Sequence, residues 1–273
     1  TQSSGTAADF GVKQAYVALR APVGNGINMK IGVWDTVLGY EVFESGNNPN
    51  YTRSYGYTIE PTTHTGLHSQ YAFNDCVTVA ACVANTFGPR INERAFSTSA
   101  DGDNNKAESF KTYMGMITLT APQSWGWLAG STLTGCVING FNESYEDNQT
   151  SWYAGATLNT PVKGWKVGAA FDFLDVHNKR TAAPGTAGQV WVAGLYSSYQ
   201  ATEKLSLHLR GEYLKDQADF FSFTASDGSI KSTAEVFEVT ATAQYDLWKN
   251  VISRLEVRWD HGANGRYFGA ARP

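Results

Sequence analysis

The sequence has no apolar run approaching the 18 or so residues that a membrane-crossing helix needs. A helical membrane protein is therefore excluded. Charge is also scarce, at 17% of residues against the roughly 25% of soluble domains. Lys and Arg number 21 against 25 Asp and Glu, for a formal net charge of -4. A broadly basic nucleic-acid binder is excluded, because phosphate neutralisation needs clustered cations. Cysteine is limited to Cys76, Cys82 and Cys136, an odd number with no C-x-x-C spacing. That is no disulfide framework, and all three read as unpaired structural residues. There is no Ser-His-Asp order, no G-x-S-x-G and no H-E-x-x-H, so no enzyme and no cofactor are expected. The start, Thr-Gln-Ser-Ser, has neither a basic region nor an apolar one, as in a cytosolic protein, a processed chain or a fragment.

What is present is glycine (27), aromatic residues (13%) and a period of two along nearly the whole chain. Leu205, Leu207, Leu209, Gly211 and Tyr213 share one face of a strand, and Ser206, His208, Arg210 and Glu212 share the other. Val251 to Trp259 alternate in the same way with Arg254, Glu256, Arg258 and Asp260. Similar segments lie near 14–20, 27–34, 64–72, 76–84, 111–120, 128–138, 151–160, 164–173, 189–199 and 234–245. About twelve strands of roughly 7–12 residues result, the length that spans a bilayer when tilted. No amphipathic helix is expected. Gly24-Asn25-Gly26 reads as a hairpin turn.

The connections alternate. Short ones are expected near 21–26, 73–75, 121–126, 161–163, 201–203 and 246–249, and long ones near 35–61, 85–110, 139–149, 174–188 and 215–233. A transmembrane barrel has short turns on one side and long loops on the other; a sandwich has no reason to alternate so. Trp165, Tyr199, Tyr245 and Trp248 fall at the short turns, together with Trp125 and Trp127. Trp34, Phe173, Tyr213 and Trp259 fall at the opposite strand ends. Two belts of amphipathic rings match two membrane interfaces.

The polar face would carry Arg20, Lys30, Lys166, Asp172, His208, Arg210, Glu212, Glu238, Gln244, Arg254, Glu256 and Arg258. Twelve strands enclose a lumen too wide for side chains to fill. The apolar face should then look at lipid and the charged face should line water. The fold class expected is all-β, a transmembrane antiparallel up-and-down barrel.

Several stretches carry a resemblance. They are Gln14-Ala-Tyr-Val-Ala-Leu-Arg-Ala-Pro-Val-Gly-Asn-Gly26, Met29-Lys-Ile-Gly-Val-Trp-Asp-Thr-Val-Leu-Gly-Tyr-Glu41, Asn48-Pro-Asn-Tyr-Thr-Arg-Ser-Tyr-Gly56 and Glu60-Pro-Thr-Thr-His-Thr-Gly-Leu67. Asn104-Asn105-Lys106, Arg210-Gly211-Glu212-Tyr213 and Arg254-Leu255-Glu256-Val257-Arg258-Trp259-Asp260 add to them. Over nearly its whole length the chain resembles the putative beta-barrel porin-2 family, described as OmpL-like. The stretch at 28–60 is the most specific part. The resemblance implies a diffusion channel in the bacterial outer membrane, passing small hydrophilic solutes or ions, and brings no catalytic residues. Such barrels end on a strand with a terminal aromatic, whereas this chain stops at Gly269-Ala-Ala-Arg-Pro273. A full protein of about 14–16 strands, with material beyond both ends, is the expectation. A homotrimer is expected by analogy with porins.

The single domain, 1–273, contains one segment with a special role. Residues 35–61, which include Arg53, would fold inward as a constriction, presenting Glu41 and Glu44 against Arg210, Arg254 and Arg258. Asp101, Asp103 and Asn105 are weak Ca²⁺ candidates, but they lack a bidentate Glu and fit turn chemistry equally. His64 and His68 share a strand face about 13 Å apart, too far for one metal. The alternative is a barrel that conducts little and serves as a surface scaffold or adhesion component. A soluble β-sheet binding protein is a third reading.

Overall fold

A computed structural model describes residues 13–88, 97–98, 104–105, 110–142, 147–176, 188–223 and 233–268. Twelve long strands form one antiparallel sheet in which each pairs with its neighbours in sequence. They are β1 (Ala15–Ala21), β2 (Ile27–Asp35), β3 (Thr63–Asn74), β4 (Val77–Ala84), β7 (Thr112–Thr120), β8 (Thr132–Asn142), β9 (Asp147–Asn159), β10 (Trp165–Val176), β11 (Gly188–Gln200), β12 (Leu205–Asp216), β13 (Ala234–Trp248) and β14 (Val251–Gly262). A separate two-residue ladder joins β5 (Ser97–Thr98) to β6 (Asn104–Asn105). Among the described residues the far edges of β1 and β14 pair with no strand. This is the up-and-down order of a transmembrane barrel wall, and every expected strand is present.

The register sorts the side chains by parity. In β12 the even residues Ser206, Arg210, Glu212, Leu214 and Asp216 are buried, while Leu207 and Leu209 are 45% and 50% exposed. The ladders carry this inner face through the sheet, because Tyr196 opposes Arg210, which opposes Thr240, which opposes Arg258. On the outer face stand Leu195, Leu255 and Val257, each about 70% exposed. Apolar side chains so bare belong against lipid. Leu209→Arg should therefore weaken the barrel by about 2–4 kcal/mol, read by denaturant titration of the lipid-folded protein.

The outer aromatics lie at both strand ends. Trp125, Trp127, Trp165, Tyr199, Tyr245 and Trp248 are exposed at the short turns. At the loop ends Trp191, Tyr213 and Phe237 touch in series, with ring centroids 5.4 and 4.9 Å apart. Phe173 opposes Trp191 in the ladder, and Trp259 stacks on His261 at 5.2 Å. Trp34 departs from the expected belt. It lies on the inner face, fully buried, with its ring 5.3 Å from both His64 and His68 and its Nε1 donating to the Gly66 carbonyl at 3.1 Å. Its position near a strand end suggested an interface, but parity places it opposite His64, on the covered side.

Three further expectations need correction. The connection at 139–149 is not long: β8 and β9 pair out to Asn142 and Asp147. The turn after β7 is longer than expected and carries a 3₁₀ segment, Gln123–Leu128. Third, one short helix does exist, α1 (Tyr55–Ile59), inside the connection between β2 and β3. The cysteines are free, as expected, with Cys82 and Cys136 buried. Of the Ca²⁺ candidates, Asn105 sits in the two-residue ladder, and Asp101 and Asp103 lie outside the described residues.

Candidate functional site: a segment latched to the inner wall

Residues 36–62 leave the end of β2, cross the inner face and return to β3. Their apolar side chains dock first. Leu38, Tyr55 and Ile59 are buried in one cluster with Leu174, Val190, Val192, Leu214 and Val236 of the wall. The inner face is thus apolar where the segment covers it, not uniformly polar as the alternation implied. A wall that meets a packed loop instead of water can be greasy. Tyr40 stacks on Tyr196 at 3.9 Å, and Gly168 leaves the space for the Tyr40 hydroxyl, which any Cβ there would strike.

The helix is held at its N-terminus. Ser54 caps it, its hydroxyl accepting from the Tyr57 amide at 2.9 Å. Glu212 of the wall accepts from the Tyr55 and Gly56 amides at 3.0 and 3.2 Å. A carboxylate satisfies amides that have no helical partner and faces the positive end of the helix. Gly56 lets this end approach closely, since a Cβ there would lie 2.5 Å from Asp172 Oδ2.

Arg210 is the centre of the arrangement, with no exposed surface. Glu212 and Glu238 stand directly opposite each other across β12 and β13. Like charges in that position repel. The Arg210 guanidinium relieves this, with Nε 3.1 Å from Glu238 Oε2 and 3.4 Å from Glu212 Oε2. Its Nη1 donates to Glu41 Oε1 at 2.8 Å and to the Thr52 carbonyl at 2.7 Å. Its Nη2 reaches the Arg53 carbonyl at 3.3 Å. Each donor of the planar fork meets an oxygen.

Strand β14, on the far side of β13 from Arg210, extends the grip. Arg254 Nη1 donates to the Ser45 carbonyl at 2.8 Å, and Nη2 reaches the Asn48 and Gly46 carbonyls. Arg258 Nη1 donates to the Arg53 carbonyl at 2.7 Å, while its Nε and Nη2 hold Asp260. Glu256 accepts from the Tyr51 and Thr52 amides at 2.6 and 2.9 Å. Buried Asn50 donates to Thr242 Oγ1 at 2.7 Å, and that hydroxyl donates to Glu256 at 2.6 Å. The Tyr55 hydroxyl donates to Asp260 at 2.8 Å. The wall arginines thus take up backbone carbonyls of the segment, and the wall glutamates take up its amides.

This places the expected site residues. Arg210, Glu212, Glu238, Arg254, Glu256 and Arg258 come together around the segment, with Glu41 at the centre. Arg53 lies 3.9 Å from Glu41, and its guanidinium is over the Tyr57 ring at 4.6 Å. Glu44 does not face the arginines. It is exposed and pairs with Lys13, which holds its carboxyl below the ordinary range. Arg20, Lys30, Lys166 and His208 share the inner-face parity but lie apart from the latch. Arg20 donates to the Asn25 carbonyl, Lys30 lies over Tyr16, Lys166 is exposed at the turn end, and His208 bonds Ser198.

Sequence reasoning missed Glu60, Asn50, Tyr196 and Thr242. Glu60 is hydrogen-bonded to Asp172 of the wall; burial and that carboxylate push its carboxyl well above the usual 4.5. A carboxyl raised on docking favours the docked state at low pH, and this contribution is lost as pH rises above about 4.5 through the raised value. Channel conductance should therefore increase as pH rises, and Glu60→Gln should flatten that dependence. A pH series of bilayer recordings on both proteins checks it. Between 35–47 and 57–62 lies a cavity of about 150 Å³, lined by Asp35, Glu41, Glu44 and Glu60 together with Phe43 and Tyr57.

Solved structures share the fold. The outer membrane channel DcaP of Acinetobacter baumannii aligns with a TM-score of 0.53 at 12% identity, over 90% of this chain and 77% of that one. OmpT of Vibrio cholerae, expressed in the outer membrane, aligns with a TM-score of 0.56 at 13% identity, over 93% and 72%. No curated protein matches the sequence significantly. The family model described as putative beta-barrel porin-2, OmpL-like, matches residues 1–272, and the chain belongs to that family of outer-membrane porins.

Proposed function

We propose that the protein is a passive channel for small hydrophilic solutes whose bore is set by residues 36–62. The observation that supports this is the latch. Arg210, Arg254 and Arg258 donate to five backbone carbonyls of one segment, those of Ser45, Gly46, Asn48, Thr52 and Arg53. A segment built only to be displayed outside needs no such seat inside the lumen. The exposed leucines and the outer aromatics at both strand ends fit contact with lipid and its two interfaces.

Planar-bilayer recording of the purified protein tests the reading. Discrete conductance steps are expected. A folded protein that inserts without conducting would favour the alternative of a surface scaffold or adhesion component.

A further inference from the structure

Four of the six sulfur-bearing side chains of this chain gather on one patch of the inner face, in the same buried cluster as Leu38, Tyr55 and Ile59 but on strands that carry none of the latch arginines. The chain has 3 Cys and 3 Met. Cys82, Met114, Met116 and Cys136 lie on the adjacent strands β4, β7 and β8. The register is specific. His68 of β3 opposes Cys82 of β4, and Cys82 opposes Met114 of β7. Directly opposed residues on one face have Cβ atoms about 4.5–5.5 Å apart. A nitrogen, a thiol and a thioether thus stand in one row with the thiol in the middle. Cys82 and Met114 are buried, and the Nδ1 of His68 is buried with no hydrogen-bond partner. An orphaned imidazole nitrogen beside a thiol calls for an explanation that packing alone does not give. Trp34 lies 5.3 Å from the His68 ring and shields it. Met116, half-buried and diagonal to Cys82, is within reach as a fourth donor.

We propose that His68, Cys82 and Met114 form a site for a soft monovalent cation of the Cu(I) or Ag(I) class. The donor types argue for softness: thiolate and thioether sulfur select such ions over Mg²⁺, Ca²⁺ or Mn²⁺. The charge balance argues for monovalence. On binding, the Cys82 thiol loses its proton to solvent and the thiolate takes the metal. One thiolate and one M⁺ leave the site neutral, whereas a divalent ion would leave a net positive charge in an apolar setting of Ala80, Ala84 and Ile138. Lys30, opposite His68 in the ladder, makes a second positive charge less welcome still. Cys136 is two strands from Cys82 and one pair further along, beyond the span of one ion. Among the described residues, no three His, Cys, Asp or Glu side chains group for a metal; this set depends on a thioether.

Silver nitrate titrated into the folded, detergent-solubilised protein tests the site. On a Cys76→Ser, Cys136→Ser background one equivalent of Ag(I) should bind, with release of one proton. Adding Cys82→Ser should weaken binding by more than about 100-fold, since losing even an outer hydrogen-bond partner of a ligand costs 10–100-fold. Met114→Leu, which keeps the packing volume, should weaken it measurably with the barrel intact. Cu(I) should give a thiolate charge-transfer band that Cys82→Ser abolishes. No uptake by the background protein, or uptake unchanged in both Cys82→Ser and Met114→Leu, would overturn the proposal. If Cys82→Ser does not fold, the Met114→Leu result decides.

Discussion

Arg210→Met should release the 36–62 segment and raise the single-channel conductance. The side chain is wholly buried and holds Glu41 of the segment together with Glu212 and Glu238 of the wall. Methionine matches the stem but supplies no donor. Glu212 and Glu238 would then oppose each other with no cation between them, and Glu41 would face both. Removing one partner of a buried charge cluster costs about 3–5 kcal/mol. That cost falls on the docked state, because an undocked segment carries Glu41 into water and opens the wall carboxylates to it. The sheet should persist, since its ladders do not depend on the segment. Trypsin provides a second readout. Arg53 is largely covered, with its side chain 22% exposed, and cleavage after it should become fast in the variant. Unchanged conductance together with unchanged protection would show that Arg210 does not hold the segment.

Replacing Arg254 and Arg258 together by glutamine should have a different effect. These two hold the Ser45, Gly46, Asn48 and Arg53 carbonyls but not the Glu41 carboxylate. A hydrogen bond to a charged group contributes about 1.5–3 kcal/mol, so the stretch at 45–53 should loosen. Tyr55 and Ile59 remain packed, and Glu212 still caps the helix. Conductance should rise less than in Arg210→Met. Two positive charges are lost while Glu256 and Asp260 remain, so the reversal potential in a salt gradient should move toward cations. A folded, conducting double variant with an unshifted reversal potential would remove these arginines from the account of selectivity.

The strands were legible in the sequence because a half-buried sheet imposes a period of two, and the pattern around Leu205–Tyr213 shows it plainly. The inner position of Arg210 followed from the same parity. Trp34 was misplaced for a related reason: its place near a strand end was weighed above its parity, which alone decides the face. The latch partners were harder to see. Arg254 and Arg258 read as charges lining water, but their partners are backbone carbonyls some 200 residues earlier in the chain, and no side-chain pattern reports those. Glu44 read as a mate for the arginines, yet a neighbouring Lys13 takes it. The apolar stretch of the inner wall, Val190, Val192 and Leu174, was not read from the alternation at all, because it is the packed segment that makes an apolar wall stable there.

The central claim is that residues 36–62, seated inside the barrel, set the bore. The direct measurement is single-channel conductance of the wild-type protein against a variant in which 43–54 is replaced by a short glycine linker, both in the same lipid and salt. The variant is expected to give discrete steps several times larger than wild type, with the pH dependence reduced. Steps of equal size, from variant protein shown to be folded in lipid, would contradict the account.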